Sequence, residues 1–139
     1  MAKILIVYVT TTGNTEKMAQ AIEKGAKNAG FDVTCKTVSE ASVAELADYD
    51  VIAFGSPAMG AEVIEEAEME PFFADAVGCL NGKKVALFGS YDWGDGEWLR
   101  TWEDRCKSAG AEVIATVKAH LEPDDDAVAE CESFGAKLK

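Results

Sequence analysis

The sequence predicts a doubly wound α/β fold: a five-stranded parallel sheet in the order 2-1-3-4-5 with helices on both faces. Three observations predict it. The run at residues 3–9 is nearly all Ile, Leu, Val and Tyr, and those at 51–55 and 85–89 are continuously apolar, as strands covered on both faces are. Helical stretches separate successive strand-like runs, an alternation that builds a parallel sheet. Only the run at 32–38 alternates apolar and polar residues, so it suits a sheet edge beside a buried first strand.

Taken in order, residues 3–9 (KILIVYV) form the first strand. After Asn14, residues Met18, Ala21, Ile22, Gly25 and Ala26 recur at helical spacing, with Glu16, Lys17, Glu23, Lys24 and Lys27 on the other side. DVTCKTV at 32–38 is the edge strand, 41–47 a short helix, and VIAFG at 51–55 a central strand. Phe72, Phe73, Ala76, Val77 and Leu80 form one helical stripe over 71–80, with Pro71 in a first turn where proline is tolerated. VALFG at 85–89 is the fourth strand, 97–109 a helix ended by Gly110, and 112–117 the fifth strand. A last helix covers 124–138, and Asp124, Asp125 and Asp126 at its positive end read as capping residues in preference to metal ligands.

Composition bounds the function. A chain of 139 residues fits one domain spanning 1–139. Its apolar runs are too short for a membrane span, and its start leads directly into a patterned domain, so a cytoplasmic protein is expected. Cys35, Cys79, Cys106 and Cys131 are widely spaced with no C-x-x-C, which reads as free thiols. The net charge is −12, and residues 37–82 contribute −10 of it without one basic residue. Nucleic acid and membrane are thereby disfavoured as partners, and a protein with a basic docking face is favoured. A solvated acidic surface kept for solubility is the plainer alternative.

The joint between the first strand and first helix, Thr10-Thr11-Thr12-Gly13-Asn14-Thr15, suits an anion. A helix start offers unpaired N–H groups and partial positive charge, and four threonine hydroxyls add donors. No Lys or Arg lies between Lys3 and Lys17, so a phosphate here would be held by neutral donors; Walker and three-glycine dinucleotide patterns are absent. A polar turn with Asn14 or Thr15 as N-cap is the simpler reading. The third and fourth strands end in a matched pair, FGSPAMG at 54–60 and FGSYDWG at 88–94. Alignment on Phe-Gly-Ser sets Met59 against Trp93 and Gly60 against Gly94. A thioether and an indole at two neighbouring loop tips could clasp a flat ring, so phosphate and planar head belong to one cofactor.

Three segments carry a family resemblance over essentially the whole chain: T-x-T-G-N-T-E-K-M at 10–18, A-M-G with Glu62 at 58–62, and GKKVALFGSYxWGDG at 82–96. With no insertion in the fifth strand, the chain resembles the short-chain, clostridial-type flavodoxins. That resemblance implies a flavodoxin-like fold with non-covalent FMN in a low-potential one-electron carrier, shuttling between semiquinone and hydroquinone to redox partner proteins, a monomer and not an enzyme. It implies that Thr10, Thr12, Asn14 and Thr15, with the N–H groups of Thr11, Gly13 and their neighbours, hold the phosphate. Met59 and Trp93 would flank the isoalloxazine, the Gly60 carbonyl would turn toward flavin N5, and Glu62 would accept from N3–H. Ser56, Pro57, Ala58, Ala61, Ser90, Tyr91, Asp92 and Gly94 complete the implied site. Val9, Ala61 and Asp92 stand where the clostridial pattern has tryptophan, aspartate and glycine, which affects potentials more than cofactor choice.

Other readings stay open. An FMN-dependent NAD(P)H or quinone reductase shares the fold, but the acidic surround would repel a phosphorylated dinucleotide. A flavodoxin-like activator of ribonucleotide reductase differs only in partner. A phosphorelay receiver would need an aspartate where the chain has Ser56-Pro57. His120, the single histidine, is read as exposed just beyond the fifth strand, near the ligand end.

Overall fold

Central strands that are apolar on both faces require cover on both sides, and the fold supplies it. The computed structural model describes residues 3–10, 13–58, 64–91, 96–120 and 122–138. Its elements are β1 (Lys3–Tyr8), α1 (Asn14–Asn28), β2 (Asp32–Thr37), β3 (Val51–Gly55), α2 (Met69–Ala76), β4 (Lys84–Tyr91), α3 (Glu97–Ser108), β5 (Glu112–His120) and α4 (Asp125–Ala136). The strands form one five-stranded sheet in the order β2-β1-β3-β4-β5. Every pairing is parallel, as the sequence predicts.

The period of two along each strand sends alternate side chains into two cores. Leu5, Val7, Ile52, Phe54, Val85 and Leu87 pack with α2 and α3. Ile4, Ile6, Val51, Ala53, Ala86 and Phe88 pack with α1 and α4. The first core is aromatic at its centre: the Phe54 ring lies 5.4 Å from Phe73 and 6.1 Å from Trp102. Arg105 clasps α3 to α2, donating to both Glu70 carboxylate oxygens at 2.7 Å with its guanidinium 4.8 Å from the Phe73 ring centre.

The second core brings two helix backbones together. A Cβ at Gly25 would overlap the Glu132 carbonyl oxygen, and one at Gly135 would overlap that of Ile22. The small residues therefore set the α1–α4 separation.

Several boundaries differ from the sequence reading. The stretch at 41–47 is a 3₁₀ turn, Val43–Asp48, preceded by another at Val38–Glu40. Ser42 and Glu45 form a capping box around the second turn, a local bonding pattern that a few residues can satisfy without a full α-helix. The helix expected at 71–80 begins at Met69 and tightens into a 3₁₀ turn, Val77–Cys79. β4 and β5 run past their apolar stretches to Tyr91 and His120, because ladder hydrogen bonds continue where side chains turn polar. His120 is thus the last residue of β5, not a loop residue. A one-residue bulge at Val85/Ala86 shifts β5 against β4.

All four cysteines are free. Burial pushes the thiols of Cys35, Cys106 and Cys131 up to about 12, so they stay protonated and unreactive near neutrality. Among the described residues no helix is long and apolar enough to cross a membrane. Gly25→Ala or Gly135→Ala should destabilise the protein by about 1–3 kcal/mol through overpacking, read as a lower urea midpoint.

Candidate functional site

A doubly wound sheet opens its crevice at the carboxyl ends of strands flanking the point where the order reverses, here β1 and β3. At the end of β1, Gly13 is the N-cap of α1 with φ 91° and no side-chain cap. Asn14 is the first helical residue and Thr15 lies within the first turn, so neither is the cap. The left-handed turn needs glycine there, and the cap position passes to it. The Gly13 N–H donates to Thr10 Oγ1 at 3.0 Å, and among the described residues no side chain caps the first-turn N–H groups of this 15-residue helix. Lys17 is exposed and pairs with Glu122. The described donors facing this end are therefore neutral, and they fit a phosphate.

Thr15 is 1 % exposed and its Oγ1 is hydrogen-bonded to Ser90 Oγ at 3.2 Å. Beside it, the Tyr8 hydroxyl donates to Glu16 at 3.3 Å. Burial, then the nearby Cys35 and Glu16, push the Tyr8 phenol up to about 12, so it remains a neutral donor.

The loop after β3 is pinned at its base. The buried Ser56 hydroxyl donates to the Pro57 carbonyl and accepts from the Glu65 N–H, both at 2.9 Å. The Ala58 N–H donates to the Ser90 carbonyl at 2.8 Å. A Cβ at Gly89 would overlap the Ser56 carbonyl oxygen, so the two strand ends meet backbone to backbone. Glu65 is buried, and its carboxylate accepts from the N–H groups of Ala67, Glu68 and Met69 at 2.7–2.9 Å. Burial alone would raise its pKa, but the three donors together hold it below the usual carboxylate range. Glu65 is a site residue that sequence reasoning missed, since it counted only toward the acidic stretch. Its position just ahead of a helical stripe was the available signal.

At the end of β4, Ser90 is buried and Tyr91 half-buried. The Tyr91 ring lies 5.6 Å from Trp98 and 5.1 Å from His120. Gly96, at φ 93°, is the N-cap of α3.

The structure thus brings Thr10, Gly13, Asn14, Thr15, Ser56, Pro57, Ala58, Ser90 and Tyr91 to one end of the sheet. Thr11, Thr12, Met59, Gly60, Ala61, Glu62, Asp92, Trp93 and Gly94 lie outside the described residues. Among the described residues no group of His, Cys, Asp or Glu could hold a metal. Asp124 instead caps α4, accepting from the Ala127 N–H at 2.8 Å. A cavity of about 570 Å³ lined by Asp48, Asp50, Asn81 and Lys83 opens at the opposite, amino ends of β3 and β4. Its Lys83 is already engaged with the Tyr49 carbonyl at 2.6 Å, and it lies at the other end of the sheet from the start of α1, so the carboxyl ends are the candidate ligand site.

The family model described as "Flavodoxin" matches residues 6–135. The flavodoxin of Clostridium beijerinckii is 46 % identical over 96 % of each chain. That of Megasphaera elsdenii is 47 % identical over 94 % of this chain and 93 % of its own. The solution structure of the two-electron reduced Megasphaera elsdenii flavodoxin superimposes with a TM-score of 0.89, covering 97 % of this chain and 99 % of that one at 45 % identity.

Ser56→Ala leaves the buried Glu65 N–H without its acceptor and should cost about 1–3 kcal/mol in urea unfolding. Glu65→Gln should cost a similar amount, about 1–2 kcal/mol at pH 7. A carboxylate held low in the folded state contributes stability that is present above its unfolded pKa, about 4.3, and is lost as pH falls through its folded value. The stability gap between the parent protein and Glu65→Gln should therefore close on acidification below about pH 4.

Proposed function

This chain belongs to the flavodoxin family, FMN-binding electron carriers, and we propose that it is a low-potential one-electron carrier serving redox enzymes with basic docking faces. The observation that carries the site assignment is the uncapped start of α1, joined through Ser90 to both neighbouring loops. Bound FMN would supply an isoalloxazine that takes up two electrons in separate steps.

The chain's own residues would do the rest. Thr10, Thr12, Asn14 and Thr15, with the N–H groups at 11–15, would hold the phosphate by neutral donors. Met59 and Trp93 would flank the ring and exclude water from it. Gly60 would let its peptide turn, since glycine admits φ values that a branched residue does not. Glu62 would accept a hydrogen bond from the N–H on the ring's pyrimidine edge. Ser56, Pro57, Ala58, Ala61, Ser90, Tyr91, Asp92 and Gly94 would complete the walls.

The acidic residues set the working potential in this reading. Residues 37–82 carry −10, and Asp92, Asp95 and Glu97 add charge at the second loop. Adding a further negative charge to a bound ring beside this field is unfavourable, which lowers the potential of the second electron. The same field would steer basic partner surfaces and repel a phosphorylated dinucleotide, which favours a carrier over a reductase.

Purified protein should show flavin absorption bands and release FMN on denaturation. A colourless chain that does not take up FMN would refute the cofactor. Stopped-flow mixing with NADPH alone should give no useful rate of reduction, whereas rapid reduction would indicate a reductase. Neutralising Glu62, Asp92 and Asp95 together should raise the lower of the two potentials by on the order of 100 mV, read by spectroelectrochemistry.

A further inference from the structure

Two hydroxyls bring two protons to one buried hydrogen bond. Thr15 Oγ1 and Ser90 Oγ lie 3.2 Å apart at 1 % and 4 % exposure, and either atom can be the donor. The bond uses one proton, so one of the two hydroxyls keeps a proton that has no acceptor among the described residues. Ser56, a third buried hydroxyl at this end, has no such surplus: it donates to the Pro57 carbonyl and accepts from the Glu65 N–H, both at 2.9 Å. A buried donor without an acceptor is costly, so the remaining proton of the Thr15–Ser90 pair calls for a ligand.

The surroundings decide which hydroxyl keeps it. Thr15 is the second residue of α1, and the first helical bond runs from the Lys17 N–H to the Gly13 carbonyl at 3.1 Å. The N–H groups of Asn14, Thr15 and Glu16 therefore precede the helical ladder, where an anion is favoured. The charged side chains of this turn are engaged elsewhere: Glu16 accepts from the Tyr8 hydroxyl at 3.3 Å, and Lys17 pairs with Glu122. Ser90 reaches Thr15 from the end of β4, and its carbonyl already accepts from the Ala58 N–H at 2.8 Å. With an anion at the helix start, the order in which Ser90 donates to Thr15 and Thr15 donates to the anion aligns both O–H dipoles with the negative charge. The reverse order turns them against it.

We propose that Ser90 is a positioning residue for the phosphate of FMN: its hydroxyl donates to Thr15 and so directs the Thr15 proton to a phosphate oxygen. The inference deepens the FMN-carrier reading above and rests on it. Such a relay strengthens the terminal donor without adding a charge, in keeping with a helix start whose described side-chain donors are neutral.

Ser90→Ala removes the relay and leaves the backbone bond to Ala58 in place. Thr15→Val removes the terminal donor at nearly constant shape, and Thr15→Ser retains it. Titration of the FMN-free protein with FMN should show affinity about threefold to tenfold lower for Ser90→Ala and about tenfold to a hundredfold lower for Thr15→Val, with Thr15→Ser near the parent. In the Thr15→Val background, Ser90→Ala should cost less than about twofold, because Ser90 acts only through Thr15. Riboflavin, which has the ring and no phosphate, should bind the parent and Ser90→Ala equally well. A Ser90→Ala protein that keeps the parent's FMN affinity, or that loses riboflavin affinity by the same factor, would overturn this inference and leave the carrier reading standing. A Ser90→Ala loss that persists in full beside Thr15→Val would do the same. Failure of the parent chain to bind FMN would overturn both.

Discussion

Ser90 holds the functional end of the molecule together. Its hydroxyl is bonded to Thr15 in the first turn of α1, and its carbonyl accepts from Ala58 at the start of the loop after β3. Both hydroxyls are buried, where an unpaired polar group would cost far more than an exposed one. Three segments distant in sequence are thereby fixed relative to one another by two hydrogen bonds. The close backbone approach of Gly89 to Ser56 is what permits it, since any side chain at Gly89 would force β3 and β4 apart at this end.

The two loops rise from rigid bases. Ser56 and Glu65 close one of them through buried hydrogen bonds, with the Glu65 carboxylate occupied by three backbone donors. Tyr91 and Gly96 bound the other, and each rests on a residue of β5. Pinned bases suit a carrier, because a cofactor that gains and loses electrons without large rearrangement of its walls can exchange them quickly with a passing partner. The charge is unevenly divided: the described side-chain donors at the start of α1 are neutral, ten carboxylates fall within residues 37–82, and the Lys118 side chain lies over Gly96 at the start of α3.

Much of this was legible in the residues. Continuous apolar runs at 51–55 and 85–89 and the alternating run at 32–38 correctly indicated buried and edge strands, because burial on two faces or one dictates side-chain character directly. The short 3₁₀ turns at 38–48 were read as helix because local capping patterns look alike in both. The extensions of β4 and β5 were not legible, since ladder hydrogen bonds leave no mark on polar side chains. Glu65 was hidden among ten acids, all similar in composition, and only its fold position makes it a buried acceptor.

The sequence by itself determined the strand order, the helix that begins at the threonine-rich joint, the absence of a cation there, and the family. The first three follow from periodicity and residue chemistry, which are local, and the family from the resemblance of three motifs. The tertiary structure alone decided which hydroxyls meet, that Gly13 and not Asn14 caps α1, and that a bulge turns Lys118 toward Gly96. Each depends on the register between strands far apart in the chain, and a shift of one residue in register reverses the face that a side chain occupies.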